Sequence, residues 1–155
     1  MIDLPGGRYT LARATRQDIG PLSRLLADDV LGSERETEDE RAYVAAFEEI
    51  DADPHHLLVV LRDSDNQVVG TFQLTLIPGL ARGGAKRLQI EAVRLASSTR
   101  GSGLGSAVFA WIHDYGRQHG AALAQLTTDK QRADAHRFYE RLGYSASHVG
   151  YKKSL

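Results

Sequence analysis

The segment Arg100-Gly101-Ser102-Gly103-Leu104-Gly105-Ser106 carries the clearest chemical signal in this chain of 155 residues. It lies between an apolar strand-like run and a long amphipathic helical pattern. Free backbone N–H groups at a helix N-terminus, with the positive end of the helix dipole, bind anions. Glycine lets the backbone come close to a phosphate and take φ values that other residues avoid. Arg100 can add a charged fork and Ser106 a hydroxyl donor. A phosphate-bearing ligand is therefore expected here, the alternative being a tight turn whose glycines serve only its shape. The spacing is not that of a P-loop, which needs G-K-[ST], nor of a dinucleotide-binding turn, since the glycines read G-x-G-x-G and stand late in the chain. The six histidines (His55, His56, His113, His119, His136, His148) show no metal-ligand spacing, and no metal is expected. The chain has no cysteine, which removes disulfides, thiolate metal sites and a thiol nucleophile.

The elements that must position this loop are readable from periodicity. Arg8–Ala14 reads as a strand. Thr15-Arg16-Gln17-Asp18 resembles a capping box and precedes Ile19, Leu22, Leu25, Leu26 and Val30 at helical spacing. Thr37-Glu38-Asp39-Glu40 reads as a second capping box, opening a helix with Tyr43, Val44, Phe47 and Ile50 on one face. Leu57–Leu61 and Val68–Ile77 read as strands joined at an Asp65-Asn66 turn. Pro78-Gly79 and Gly83-Gly84 then bound a loop ahead of the strand Lys86–Ala96. In that strand Leu88, Ile90 and Ala92 share one parity, whereas Val93 and Leu95 take the other. A slip of one residue predicts a β-bulge, a device that re-aims side chains and interrupts pairing.

A helix from about Gly103 to His119 follows, with Leu104, Ala107, Val108, Trp111, Ile112 and Tyr115 as its apolar stripe and Gly120 as its stop. Ala122–Thr127 reads as a strand. Asp129 is the expected N-cap of a last helix bearing Ala135, Phe138, Tyr139 and Leu142, with Gly143 at its C′ position. Tyr144–Lys153 is expected to supply a final strand. The order is βααβββαβαβ: an α/β fold with a mixed sheet, helices on its faces and a bulged fourth strand. Residues 1–155 are expected to form a single domain.

The glycine-rich segment resembles motif A of the GNAT (Gcn5-related) N-acetyltransferases, R/Q-x-x-G-x-G/A, at Arg100, Gly103 and Gly105. Ala135-His136-Arg137-Phe138-Tyr139-Glu140-Arg141-Leu142-Gly143-Tyr144 resembles the family's A-x-x-F-Y-x-x-x-G-[FY] ending, and the order of elements is also similar. The resemblance implies acetyl-CoA as co-substrate. Its pyrophosphate would lie on the backbone of Arg100, Gly101, Ser102, Gly103, Leu104, Gly105 and Ser106, and its pantetheine arm against Val93, Arg94 and Leu95 at the bulge. Many relatives carry Asn where this chain has Arg132, which can reach a phosphate instead. The resemblance also implies Glu91 as the base, directly or through a water, and Tyr139 as the acid that protonates the departing sulfur. Such a transfer requires an ammonium, with a pKa of about 10, to lose a proton before attack, and it requires donors for the tetrahedral oxyanion.

Length and composition fit an ordinary globular protein, and a net charge of −1 gives no case for nucleic acid. No apolar run is long enough for a membrane span, and Met1-Ile2-Asp3-Leu4-Pro5 lacks the features of a signal peptide, so a cytoplasmic location is expected. Residues 28–53 hold eleven acids against Arg35 and Arg41, a local charge of −9. That patch is either a solvated helix face or a rim that attracts a cationic amine. The expected activity is acetyl transfer to a primary amine of a small molecule, by direct attack in a ternary complex. Protein lysine or N-terminal acetylation and a non-catalytic acyl-CoA sensor stand as alternatives. Family members are often dimers, so a homodimer is among the expectations.

Overall fold

Which side of the sheet each residue faces is decided by alternation along the long strands, and the cross-strand register makes that assignment concrete. The structure, a computed structural model, describes residues 1–4, 7–28 and 39–155. Val30, Thr37 and Glu38, and positions 29–38 of the acidic stretch, lie outside the described residues, as does Pro5. The strands are β1 (Ile2–Leu4), β2 (Gly7–Arg13), β3 (His56–Arg62), β4 (Val68–Ile77), β5 (Lys86–Leu95) and β6 (Ala121–Leu126). The helices longer than four residues are α1 (Ile19–Ala27), α2 (Glu40–Ala52), α3 (Leu104–Gln118) and α4 (Ala133–Arg141), and Ala81–Gly84 forms a single short turn of helix. Residues 1–125 and 126–155 form two compact units. Among the described residues no helix is long and apolar enough to cross a membrane.

In the first unit the strands follow the order β1-β2-β3-β4-β5-β6, and each neighbouring pair from β1 to β5 is antiparallel. β5 reaches β6 through α3, the helical crossover that parallel neighbours require, so the sheet is mixed. Residues directly opposite one another point to the same side. Leu61, Phe72, Leu74, Leu88 and Ile90 are all buried on one side, which receives α3. Phe72 meets Trp111 with ring centroids 5.7 Å apart, and α3 approaches β5 so closely that a Cβ on Gly116 would lie 3.0 Å from Leu88. Leu104, Val108, Phe109 and Ile112 are 0–1% exposed. Burying each such side chain is worth about 1.5–3 kcal/mol. This anchors the N-terminal turn of α3 to the sheet.

The opposite side holds Leu58 and Val60, which join Ala14, Leu22, Phe47 and Val68 in a second apolar cluster under α1 and α2. The chain enters α1 through the expected box: the Thr15 N–H donates to Asp18 Oδ2 (2.8 Å) and the Thr15 hydroxyl donates to the same oxygen (3.0 Å). Asp18 is buried and pairs with Arg62 at the end of β3, which fixes the helix to the sheet. α2 starts at Asp39, whose Oδ1 accepts from the Arg41 N–H (3.1 Å).

In the second unit α4 is capped by a Schellman motif: the Tyr144 N–H donates to Tyr139 O (3.1 Å) and the Gly143 N–H to Glu140 O (3.0 Å), with Gly143 at φ 89°. The expected cap residue Asp129 sits one turn earlier. Its Oδ1 accepts from the Gln131 N–H (3.0 Å), and Arg132 occupies the cap position. The final strand expected over Tyr144–Lys153 does not form: the described residues after α4 carry no strand, and Val149 and Tyr151 are exposed. Its stretch Ser145-Ala146-Ser147-His148 supplies only small or polar side chains, so one side offers little to bury.

Candidate active site

The bulge expected in the Lys86–Ala96 strand is present in β5. Gln73 of β4 faces Glu91, but Thr71 faces Arg94, so Ala92 and Val93 together oppose Phe72. Ala92 has φ 51°, a left-handed value that a non-glycine residue adopts only under constraint. The constraint is visible on both flanks. Upstream, Leu88 and Ile90 are locked under α3. Downstream, the Ala96 N–H closes the ladder on Val69 O (2.8 Å), and Leu95 faces Gly70, where an added Cβ would lie 2.7 Å from Leu95 Cδ2. The Arg94 guanidinium folds back so that Nη1 donates to Val93 O (2.9 Å).

Beyond the bulge, a short helical turn at Ser97–Thr99 leads into the glycine-rich loop. The loop is held by its own hydroxyls: Thr99 Oγ1 donates to Ala96 O (2.7 Å), and Ser102 Oγ donates to Thr99 O (2.7 Å) while accepting the Leu104 N–H (3.2 Å). Gly101 and Gly103 take φ values of 75° and 83°, and a Cβ on either would meet nothing within 4 Å. The helical ladder of α3 begins with the Ala107 N–H on Gly103 O (3.2 Å). Gly105 and Ser106 therefore lie in the first turn, where N–H groups have no intrahelical acceptor. An open, glycine-lined helix N-terminus of this kind fits a pyrophosphate, and Arg100 is exposed beside it.

Glu91 is exposed and points to the side of the sheet that carries α1 and α2, since it faces Gln73 and shares parity with Gln89. Among the described residues its carboxylate has no ion-pair or hydrogen-bond partner. Around it runs a row of polar residues contributed by four strands. His56 faces Thr75, Thr75 faces Gln89, and Gln73 faces Glu91. His56 Nδ1 lies 2.9 Å from Thr75 Oγ1 and 3.4 Å from Gln73 Nε2. Gln125 Nε2 donates to Gln89 Oε1 (2.7 Å). The alternation Thr71, Gln73, Thr75 against Phe72, Leu74, Leu76 was the available signal in the sequence.

Near the end of this row, Asp53 accepts from the His55 N–H (2.8 Å), its Oδ1 lies 2.9 Å from His55 Nδ1, and its Oδ2 lies 3.8 Å from His56 Nε2. The hydrogen bonds from the His55 backbone and ring hold the Asp53 carboxyl below the ordinary carboxylate range. Other acids of the 28–53 stretch are matched by cations: Arg13 pairs with Asp51 (3.2 Å), Arg16 with Glu48 (2.6 Å) and Arg41 with Asp39 (2.9 Å). Much of the described acidic surface is thus locally neutralised.

The structure brings Glu91, Val93, Arg94, Leu95 and the 100–106 loop into the first unit. Arg132 and Tyr139 belong to the second. There Tyr139 packs edge-on against Phe138 and Tyr144, with centroids 5.5 and 6.0 Å away. Burial, with the nearby Tyr139 phenol, pushes the Tyr144 phenol up to about 12. His136 Nε2 lies 2.9 Å from Asp129 O, a local tie that accounts for this histidine.

Residues 23–144 match the model of the acetyltransferase (GNAT) family. The chain belongs to that family. A transcriptional regulator from Bacillus halodurans C-125 is 42% identical, with a TM-score of 0.89 over 96% of this chain and 100% of that one. Glucosamine-6-phosphate N-acetyltransferase from Arabidopsis thaliana shares the fold at 22% identity, with a TM-score of 0.77 over 95% of this chain and 98% of that one. Aminoalkylphosphonate N-acetyltransferase from Salmonella typhimurium is 42% identical over 67 residues, a match that spans 43% of this chain and 44% of that relative's length.

Proposed function

We propose that this GNAT protein transfers an acetyl group from acetyl-CoA to the primary amine of a small molecule by direct attack in a ternary complex. The observation that carries the reading is the bulge at Ala92–Val93. It breaks the β5 ladder one residue after a carboxylate that has no partner among the described residues and a few residues before an open anion cradle. Backbone groups released from pairing there can face a thioester, while the cradle holds the phosphates. Glu91 takes a proton from the ammonium, directly or through a water. The amine nitrogen then attacks the thioester carbon. As the C–S bond breaks, Tyr139 gives a proton to the thiolate and the attacking nitrogen sheds its second proton to water, from which the phenol is restored, giving an amide and free coenzyme A. Arg132 is a further contact to the cofactor phosphates.

The Salmonella relative acts on aminoalkylphosphonates, which supports a small acceptor that carries both an amine and an anionic group. The experiment is release of free thiol from acetyl-CoA across polyamines, aminoglycosides, amino acids, aminoalkylphosphonates and lysine peptides. Turnover with a small amine is the expected result. Strong preference for lysine peptides would replace the small-molecule acceptor with a protein. The likeness to a transcriptional regulator favours a second reading, an acyl-CoA sensor. Tight acetyl-CoA binding with no thiol release from any amine would select it.

A further inference from the structure

We propose that Gln73 is a binding residue for the acceptor amine, and that His56 is the positioning residue that turns its carboxamide oxygen toward Glu91. The proposal rests on the acetyl-transfer reading and names the groups that receive the substrate ammonium. Gln73 and Glu91 are directly opposed on β4 and β5 and share the side of the sheet that bears α1 and α2. Opposed residues of this kind have Cβ atoms about 4.5–5.5 Å apart, which lets one ammonium bridge both side chains.

The direction of the amide follows from the hydrogen-bond logic around His56. The Gln73 amide nitrogen can only donate, so its 3.4 Å contact makes His56 Nδ1 the acceptor and leaves the ring proton on Nε2, the nitrogen 3.8 Å from the Asp53 carboxylate. The single Nδ1 lone pair is shared between Thr75 Oγ1 (2.9 Å) and the more distant Gln73 Nε2 (3.4 Å). With the amide nitrogen turned to His56, Gln73 Oε1 faces away from the ring. Among the described residues that oxygen has no hydrogen-bond partner. A carboxamide oxygen and a carboxylate side by side accept two of an ammonium's three protons. The one held by the carboxylate must leave before attack, and Glu91 is placed to take it. Gln73 would hold the amine while the proton departs. A second carboxylate at position 73 would instead stabilise the ammonium and oppose that loss.

The test is steady-state kinetics of the full chain with the amine that wild type turns over fastest. Gln73→Leu is expected to raise KM for the amine about 10- to 100-fold, the loss of one hydrogen bond to a charged group, with KM for acetyl-CoA and melting temperature unchanged. Gln73→Glu should restore a low amine KM but reduce kcat. His56→Phe should give a smaller rise, confined to the amine. Should Gln73→Leu fail to fold, Gln73→Met supplies the same deletion at closer volume. An unchanged amine KM in a folded Leu or Met variant, with wild type active, would overturn the assignment and leave the acetyl-transfer reading intact. Wild type inactive with every amine would remove that reading, and this assignment with it.

Discussion

Gly103→Val separates what the glycine-rich loop does for the fold from what it does for a phosphate ligand. Gly103 has φ 83° and ψ −2°, a left-handed conformation that costs a residue with a Cβ about 1–2 kcal/mol, and a β-branched one at least as much. No neighbour lies within 4 Å of the added Cβ, so the fold suffers this strain and no clash. At about 2–4 °C per kcal/mol for a chain of this size, the melting temperature should fall by about 2–8 °C. Acetyl-CoA should suffer more. On the proposed placement, displacing its pyrophosphate from the Gly105 and Ser106 N–H groups would remove two charge-assisted hydrogen bonds worth about 1.5–3 kcal/mol each. The expected loss is about 10²- to 10⁴-fold in Kd. Gly83→Val is the control, because Gly83 is also left-handed (φ 67°) with open space around it, and it lies outside the loop. Calorimetric titration with acetyl-CoA, paired with thermal melts of both variants, gives the comparison. Equal melting shifts with weakened binding in Gly103→Val alone would support the cradle. Undiminished affinity in a folded Gly103→Val protein would refute the reasoning.

Four further outcomes are expected. Glu91→Gln should lower turnover about 10²- to 10⁴-fold and displace the acidic limb of the pH–rate profile, and an unmoved limb would assign the base elsewhere. Tyr139→Phe should slow turnover while leaving acetyl-CoA affinity near wild type, which single-turnover kinetics with titration would check. Gly70→Ala places a Cβ 2.7 Å from Leu95 Cδ2 and 3.2 Å from Arg94 O. This overpacking should cost about 1–3 kcal/mol, read by denaturant unfolding. Tyr144 should appear in an ultraviolet absorbance titration as a phenol ionising at about 12, absent from Tyr144→Phe. Because its folded pKa is raised above the ordinary 10.0, the folded state holds the extra proton between these values. Its stabilising contribution is whole below the lower value and is lost as pH climbs through the upper one.

The features legible in the sequence are those set by neighbours along the chain. The bulge could be read because Ile90 and Leu95 must both reach the apolar side, and their odd spacing forces a slip. Gly120 and Gly143 marked helix ends because both take positive φ. Phe109 was not in the stripe read from α3, yet it is 1% exposed. It follows Val108 round the helix, so the buried sector is wider than an i, i+3, i+4 line. Asp129 has the side chain of a cap and does accept a backbone N–H, but it closes a turn ahead of α4. The row from His56 through Thr75 to Gln89 and Gln125 needed the register of four strands, which no local pattern encodes.

The bulge also sets the direction in which this protein can decay. Removing Ala92 would let Val93 face Phe72, and the ladder of β5 would run on without interruption and without an alanine at positive φ. Such a chain should resist heat better than its parent while losing the backbone groups proposed to face the thioester. Drift under pressure for robustness alone would therefore tend to erase this kink. Only continued demand for turnover would keep the extra residue in place, and an intact bulge in any descendant of this sequence would report that the demand persisted.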